Sequence, residues 1–145
     1  IMDKLKLSAK EMDTILNKQS GLLGISGVSS DSRDIENGIK EGNKRCELAQ
    51  NMYVRRIVDY IAKYYVELGG CDAIVFTAGV GENSVPVRKR VMEELAVLGV
   101  ELDEEKNNIR GSLQRISTND SSIKVYVIPT DEELMIARDT YELAR

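Results

Sequence analysis

The apolar run Ala73-Ile-Val-Phe76 ends abruptly in Thr77-Ala-Gly-Val-Gly-Glu-Asn83, and this junction constrains the chain more than any other stretch. β-rich sequence halted by two glycines one residue apart predicts a strand whose carboxyl end meets bare backbone, with helix-forming sequence from Ser84. A strand, a glycine loop and a helix in that order hold phosphate or ribose in α/β proteins, because backbone N–H groups then face the anion. The spacing Gly79-x-Gly81-Glu82-Asn83 matches neither the dinucleotide fingerprint nor the Walker loop. By the residues alone, a nucleotide site and an ordinary tight turn both stay open.

The length of 145 residues suits about one domain, and 42% hydrophobic content suffices for a core. Trp is absent, so that core must rest on Ile, Leu, Val and Met. A net charge of −4 leaves no electrostatic footprint for nucleic acid. No apolar run approaches the ~20 residues of a membrane span, so no membrane association is expected. The sequence shows no basic-then-apolar signal peptide and Ile1 is not a natural start, so it reads as cut from something longer. Cys46 and Cys71 are isolated, as expected of reduced thiols in a cytoplasmic protein. Histidine is missing altogether, which excludes His-based acid/base catalysis and His-ligated metals within these residues.

Along the chain, Ser8-Ala-Lys-Glu11 is a capping box opening a helix that ends near Gly21. Gly21 to Ser30 is rich in Gly and Ser without a helical period and reads as a loop. Asp31-Ser-Arg-Asp34 follows, with a break at Asn37-Gly38. Lys40 to Leu68 is the longest periodic element. Its apolar stripe runs Cys46, Ala49, Met52, Tyr53, Ile57, Tyr60, Ile61, Tyr64, Tyr65 and Leu68. That stripe suits core packing or a partner surface. Gly69-Gly70 stops the helix, and a strand covers Asp72–Thr77. Ser84 caps a helix to about Leu98, with Pro86 in its first turn. Asp103 to Asn108 reads as polar and irregular, and Ile123-Lys-Val-Tyr-Val-Ile128 as a second buried strand. Thr130-Asp-Glu-Glu133 is a capping box for a last helix with Leu134, Ile136, Ala137 and Tyr141 facing inward. Two strands, each followed by a turn and a helix, predict a βαβα arrangement with parallel strands.

Three polar groups could carry chemistry. Asp31 could accept from ribose hydroxyls and Arg33 could stack on a base, while a helix cap or surface ion pair explains both without a ligand. Gly79, Gly81, Glu82 and Asn83 form the second group. The third is Asp131-Glu132-Glu133, past the second strand, where carboxylates can hold Mg²⁺ through water or simply favour a helix N-terminus. In an open α/β sheet, ligands sit outside the carboxyl ends of the strands, so the last two groups would lie side by side.

Ser29-Ser-Asp-Ser-Arg-Asp34, Phe76-Thr-Ala-Gly-Val-Gly-Glu-Asn83 and Ile128-Pro-Thr-Asp-Glu-Glu-Leu134, in this order and spacing, resemble the C-terminal part of the acetate kinases. The resemblance extends from Ser8 to Arg145 and includes Leu98–Asp103 and Asn107. It implies an α/β, partial ribonuclease-H-like domain of the actin and sugar-kinase type, with parallel strands flanked by helices. Residues 1–145 would be the nucleotide-binding and dimerisation domain, incomplete and without the N-terminal domain. The implied activity is ATP-dependent phosphorylation of acetate to acetyl phosphate, with Mg²⁺, in a homodimer. A propionate or butyrate kinase, or a non-catalytic nucleotide-binding module, are the alternatives.

By the same resemblance Asp31 lies at the ribose, and Ser32 and Arg33 lie beside the adenosine. Gly79, Val80, Gly81, Glu82 and Asn83 surround the adenosine and α-phosphate, and Glu132 is the Mg²⁺-associated carboxylate. Family members usually carry Phe or Met where this chain has Ser32, so apolar packing against the base is reduced here. The catalytic Asp, Arg and His groups of the family are not among these residues, so no catalytic residue is assigned and the piece alone is expected to be inactive.

Overall fold

A computed structural model describes all residues, 1–145. Its contacts divide the chain into two compact units, Ile1–Ile61 and Ala62–Arg145. No helix is long and apolar enough to cross a membrane.

The first unit is helical. Helix α1 covers Met2–Leu5 and α2 covers Ala9–Lys18. The Ser8–Glu11 capping box forms as the sequence predicts, with the Ser8 N–H donating to Glu11 Oε2 at 2.8 Å. Gly21–Ser26 is a short helix, α3, rather than loop, and Gly27 closes it at φ 70°. Six residues are too few to show a period, which is why composition alone reads as loop. Helix α4, Ser32–Lys40, runs straight through Asn37-Gly38 instead of breaking there. Gly38 is needed for contact, since a Cβ on it would lie 2.6 Å from Cys46 Sγ. Helix α5 is Lys44–Leu68 and begins four residues later than expected. Gly42 at φ 84° turns the chain, and Asn43 Oδ1 then accepts from the Arg45 and Cys46 N–H groups. The buried side chains of this unit include Ile35, Cys46, Ala49, Val54 and Val58. The α5 stripe is only partly covered, because Met52, Tyr60, Tyr64 and Leu68 are exposed.

The second unit is α/β, the class read from the sequence. Strand β1 is Ala73–Phe76, followed by α6 at Ala78–Asn83, α7 at Val85–Glu94 and a 3₁₀ turn at Leu95–Leu98. Helix α8 is Glu104–Asn107, β2 is Gln114–Arg115, β3 is Lys124–Val127 and α9 is Glu132–Leu143. The sheet order is β1-β3-β2. β1 and β3 are parallel, with Ala73 opposite Lys124 and Phe76 opposite Val127. The central strand alternates as a half-buried strand should, Val125 and Val127 inward and Lys124 outward. Val87, Val91, Met92, Leu95, Ile116 and Ile123 complete this core.

Four expectations change here. The glycine segment is the helix α6, not a loop. It turns out of β1 through Ala78 in the left-handed region at φ 57°. Asp103–Asn108 contains α8, capped by Asp103 Oδ1 on the Lys106 N–H at 3.1 Å. A third strand, β2, pairs antiparallel with β3, and its two residues give no alternation to read. Helix α9 buries none of its side chains, so Leu134, Ile136, Ala137 and Tyr141 do not face inward, and Asp131 rather than Thr130 is its cap.

Candidate functional site

Parallel pairing of β1 and β3 brings both strand-end segments to one edge of the sheet. There Ala78, Gly79 and Glu82 face Thr130, Asp131, Glu132 and Glu133 across an open cleft of about 350 Å³. Three contacts tie the two walls. The Thr77 and Thr130 hydroxyls hydrogen-bond each other, the Ala78 N–H donates to Thr130 Oγ1 at 3.2 Å, and the Thr130 N–H donates to Glu82 Oε1 at 2.7 Å. Glu82 is therefore a cross-strand fastener in this structure. The pairing of these threonines could not be read from the sequence, because a hydroxyl pair 53 residues apart has no local signature.

The glycines divide the work. Nothing lies within 4 Å of where a Gly79 Cβ would stand, so its backbone is open to a ligand. Gly81 instead packs against β1, where a Cβ would come within 3.3 Å of the Phe76 carbonyl carbon. Asn83 Nδ2 donates to the Gly79 carbonyl at 2.9 Å, and Val80 accepts from the Ser84 N–H, so both residues close α6 upon itself.

Glu132 stands exposed in the first turn of α9, and its carboxylate makes no hydrogen bond or ion pair. Asp131 is engaged as the helix cap, with Oδ1 accepting from the Leu134 N–H at 3.2 Å. No group of three or more Asp, Glu, Cys or His converges closely enough to cage a metal. The donor set fits Mg²⁺, which is held by one or two carboxylates and completes its shell with water and phosphate oxygens.

Asp31, Ser32 and Arg33 belong to the first unit. Asp31 caps α4, its Oδ1 accepting from the Arg33 N–H at 2.8 Å. The Arg33 guanidinium grips the same carboxylate, with Nη2 at 2.6 Å from Oδ2. That hydrogen bond, with the one from the Arg33 N–H, holds the Asp31 carboxyl down at about 2. The cap and the ion pair both exist, so a ribose hydroxyl at Asp31 would share an occupied carboxylate. Ser32 opens α4 and is half-buried.

The residue that sequence reasoning missed is Arg88, on α7 and completely buried. Nε donates to Asn107 Oδ1 at 2.8 Å. Nη1 donates to the carbonyls of Gly81 and Glu82, each at 2.9 Å, and Nη2 to those of Asn107 and Ile109, each at 2.8 Å. Asn107 is buried too, and its Nδ2 donates to the Val85 carbonyl at 3.2 Å. Burial pushes the Arg88 guanidinium below its ordinary value, with the like charge of Arg110 adding to it. An arginine between Val87 and Val91 on the apolar face of α7 was the available signal.

Against known proteins, the acetokinase family model matches residues 1–138. An acetate kinase from Treponema denticola is 57% identical over 145 residues, covering 100% of this chain and 36% of that protein. Among solved structures, Porphyromonas gingivalis acetate kinase superposes with a TM-score of 0.88 at 44% identity, over 99% of this chain and 36% of that one. A propionate kinase from Francisella tularensis gives 0.84 at 39% identity, over 94% and 35%. The chain thus spans about a third of the length of the relatives it matches.

Proposed function

The chain belongs to the acetokinase family, a family of phosphotransferases, and from that premise we propose that it supplies the nucleotide-binding part of an enzyme that phosphorylates acetate with ATP and Mg²⁺. One observation carries the reading: the open backbone at Gly79 and the unpartnered carboxylate of Glu132 face the same cleft at the carboxyl ends of two parallel strands. Ligands of open α/β sheets bind at such strand ends.

In this reading Gly79, Val80 and Gly81 present backbone to the adenosine and α-phosphate, while Glu82 and Asn83 hold that backbone in place. Asp31 and Arg33 serve the ribose and the base, with Ser32 beside them. Glu132 holds Mg²⁺ through water. The metal, when bound, neutralises charge on the phosphates as the phosphoryl group passes to the acceptor carboxylate. Phosphoryl transfer needs several positioned cations, and Arg88, fully committed to carbonyls, is not available as one. The 145 residues alone are therefore expected to bind ATP weakly without turning it over. The reading extends to a cytoplasmic homodimer acting on ATP or ADP and acetate or acetyl phosphate.

The test is a coupled assay of the intact protein carrying this sequence, with acetate, propionate and butyrate offered separately. Acetate is expected to be preferred, and Glu132→Gln is expected to require more Mg²⁺ for half-maximal rate. Preference for propionate would favour the second reading, a propionate kinase, which the Francisella tularensis similarity keeps in view. No carboxylate-dependent ADP release from any of the three would sink both.

A further inference from the structure

Helix α6 cannot hold its own shape. It has six residues, two of them glycine, and starts from a left-handed alanine. Nucleating one turn is costly in isolation, glycine raises that cost, and the last carbonyls of any helix lack partners within it. Outside contacts must fix it. The Gly81–Phe76 approach sets its distance from β1, and the Glu82–Thr130 bond ties it to the opposite wall of the cleft. Neither contact reaches the carbonyls of Gly81 and Glu82, where the helix ends.

Arg88 does. We infer that Arg88 is a positioning residue for the nucleotide: it does not touch the ligand, but it sets the height and tilt of the Gly79–Glu82 backbone that would. The inference rests on the cleft being the nucleotide site. A planar guanidinium offers five N–H donors in a fixed fork, and here all five go to acceptors on two chain segments. One edge of the fork holds the end of α6, and the other holds Asn107–Ile109. The separation of those segments is thereby the width of the guanidinium. No carboxylate is among the partners, so the pairing is not an ordinary buried salt bridge. Burying a cation this way is costly unless every donor is met, so the arrangement tolerates no looser alternative. Lysine has three donors radiating from one point and cannot span both segments.

Arg88→Lys in the intact protein tests this, with KM for ATP and KM for acetate measured separately. Val91→Ala is the control, since Val91 is equally buried on the same helix but its side chain has no donor to offer these carbonyls. Losing two or more charge-assisted bonds should raise KM for ATP on the order of ten-fold. KM for acetate should stay within about two-fold. Val91→Ala should lower the melting temperature without moving KM for ATP. An unchanged KM for ATP in Arg88→Lys, or an equal rise in Val91→Ala, overturns the inference. Should Arg88→Lys fail to fold, Asn107→Ala decides the matter: it removes the Nε acceptor but leaves the bonds to Gly81 and Glu82. It should raise KM for ATP about three-fold, and no rise overturns the inference. A wild-type protein whose rate does not depend on ATP would remove the nucleotide reading itself, and that result is visible before any variant is made.

Discussion

Asp31 shows how one side chain can satisfy a local and a functional reading at once. It caps α4 and is gripped by the Arg33 guanidinium, and those two bonds place its carboxyl at about 2. The ordinary Asp value is near 3.9, so the folded state holds this proton less tightly than the unfolded chain does. The stabilisation of α4 is then fully present above about pH 4 and drains away as the pH falls towards 2. Carboxyl carbon shifts followed by NMR should give a midpoint near 2 for Asp31, rising towards the usual carboxylate range in Arg33→Ala. An unmoved midpoint would mean that the guanidinium is not the cause. The pair is exposed, so added salt should weaken it. The composition of this cap was readable because cap and partner stand two positions apart. Arg88 was not readable in the same way. Its acceptors lie up to 21 residues off, and most are backbone carbonyls, which carry no residue identity for a sequence to display.

At the level of elements, the two four-residue strands and the first helix caps were legible, and the short helices and β2 were not. β1 and β3 show apolar runs with abrupt stops, and Ser8 and Ser84 are acceptors placed before helical sequence, whereas the cap of α9 falls on Asp131, one residue past the expected Thr130. α3, α6 and α8 are four to six residues long, shorter than the window in which a period emerges, and α6 forms against its glycine content because its neighbours clamp it. The Asn37-Gly38 reading failed for a related reason. Glycine there reflects close packing of α4 on α5, not a turn, since an added Cβ would meet Cys46 Sγ at 2.6 Å and Cys46 Cβ at 3.3 Å. Gly38→Ala should therefore destabilise the protein by about 1–3 kcal/mol, the usual cost of overpacking. In a Cys46→Ala background the sulfur is gone, and the same substitution should cost about 1 kcal/mol less. Urea denaturation of the four proteins in the cycle measures the coupling. Strict additivity would show that the two helices can separate at no cost, and the packing argument for Gly38 would fall.

Across the whole molecule, periodicity counted the apolar positions that need cover without saying what covers them. The α5 stripe illustrates this: Cys46 and Ala49 are its buried members and Val54 and Val58, outside it, are buried as well, while Tyr60 and Tyr64 are 55% and 53% exposed and Leu68 is 73% exposed. Helix α9 repeats the pattern with Leu134, Met135, Ile136 and Tyr141. Exposed apolar side chains recurring at helical spacing mark interaction surfaces when they are contiguous, and tyrosine is enriched in such surfaces. The charged residues of the same helix, Arg55, Asp59, Lys63 and Glu67, pair with one another along α5 and need no partner chain. A two-fold contact through the tyrosine face buries the same surface from both copies, which makes it the economical cover for a helix this long. The intact protein should therefore scatter light as a dimer at micromolar concentration. Tyr64→Glu, which buries an uncompensated charge at that contact, should shift it towards monomer. A monomeric wild type would refute the interface outright. A dimer indifferent to the substitution would move the contact elsewhere and leave the exposed half of α5 to be covered by other residues of the intact chain.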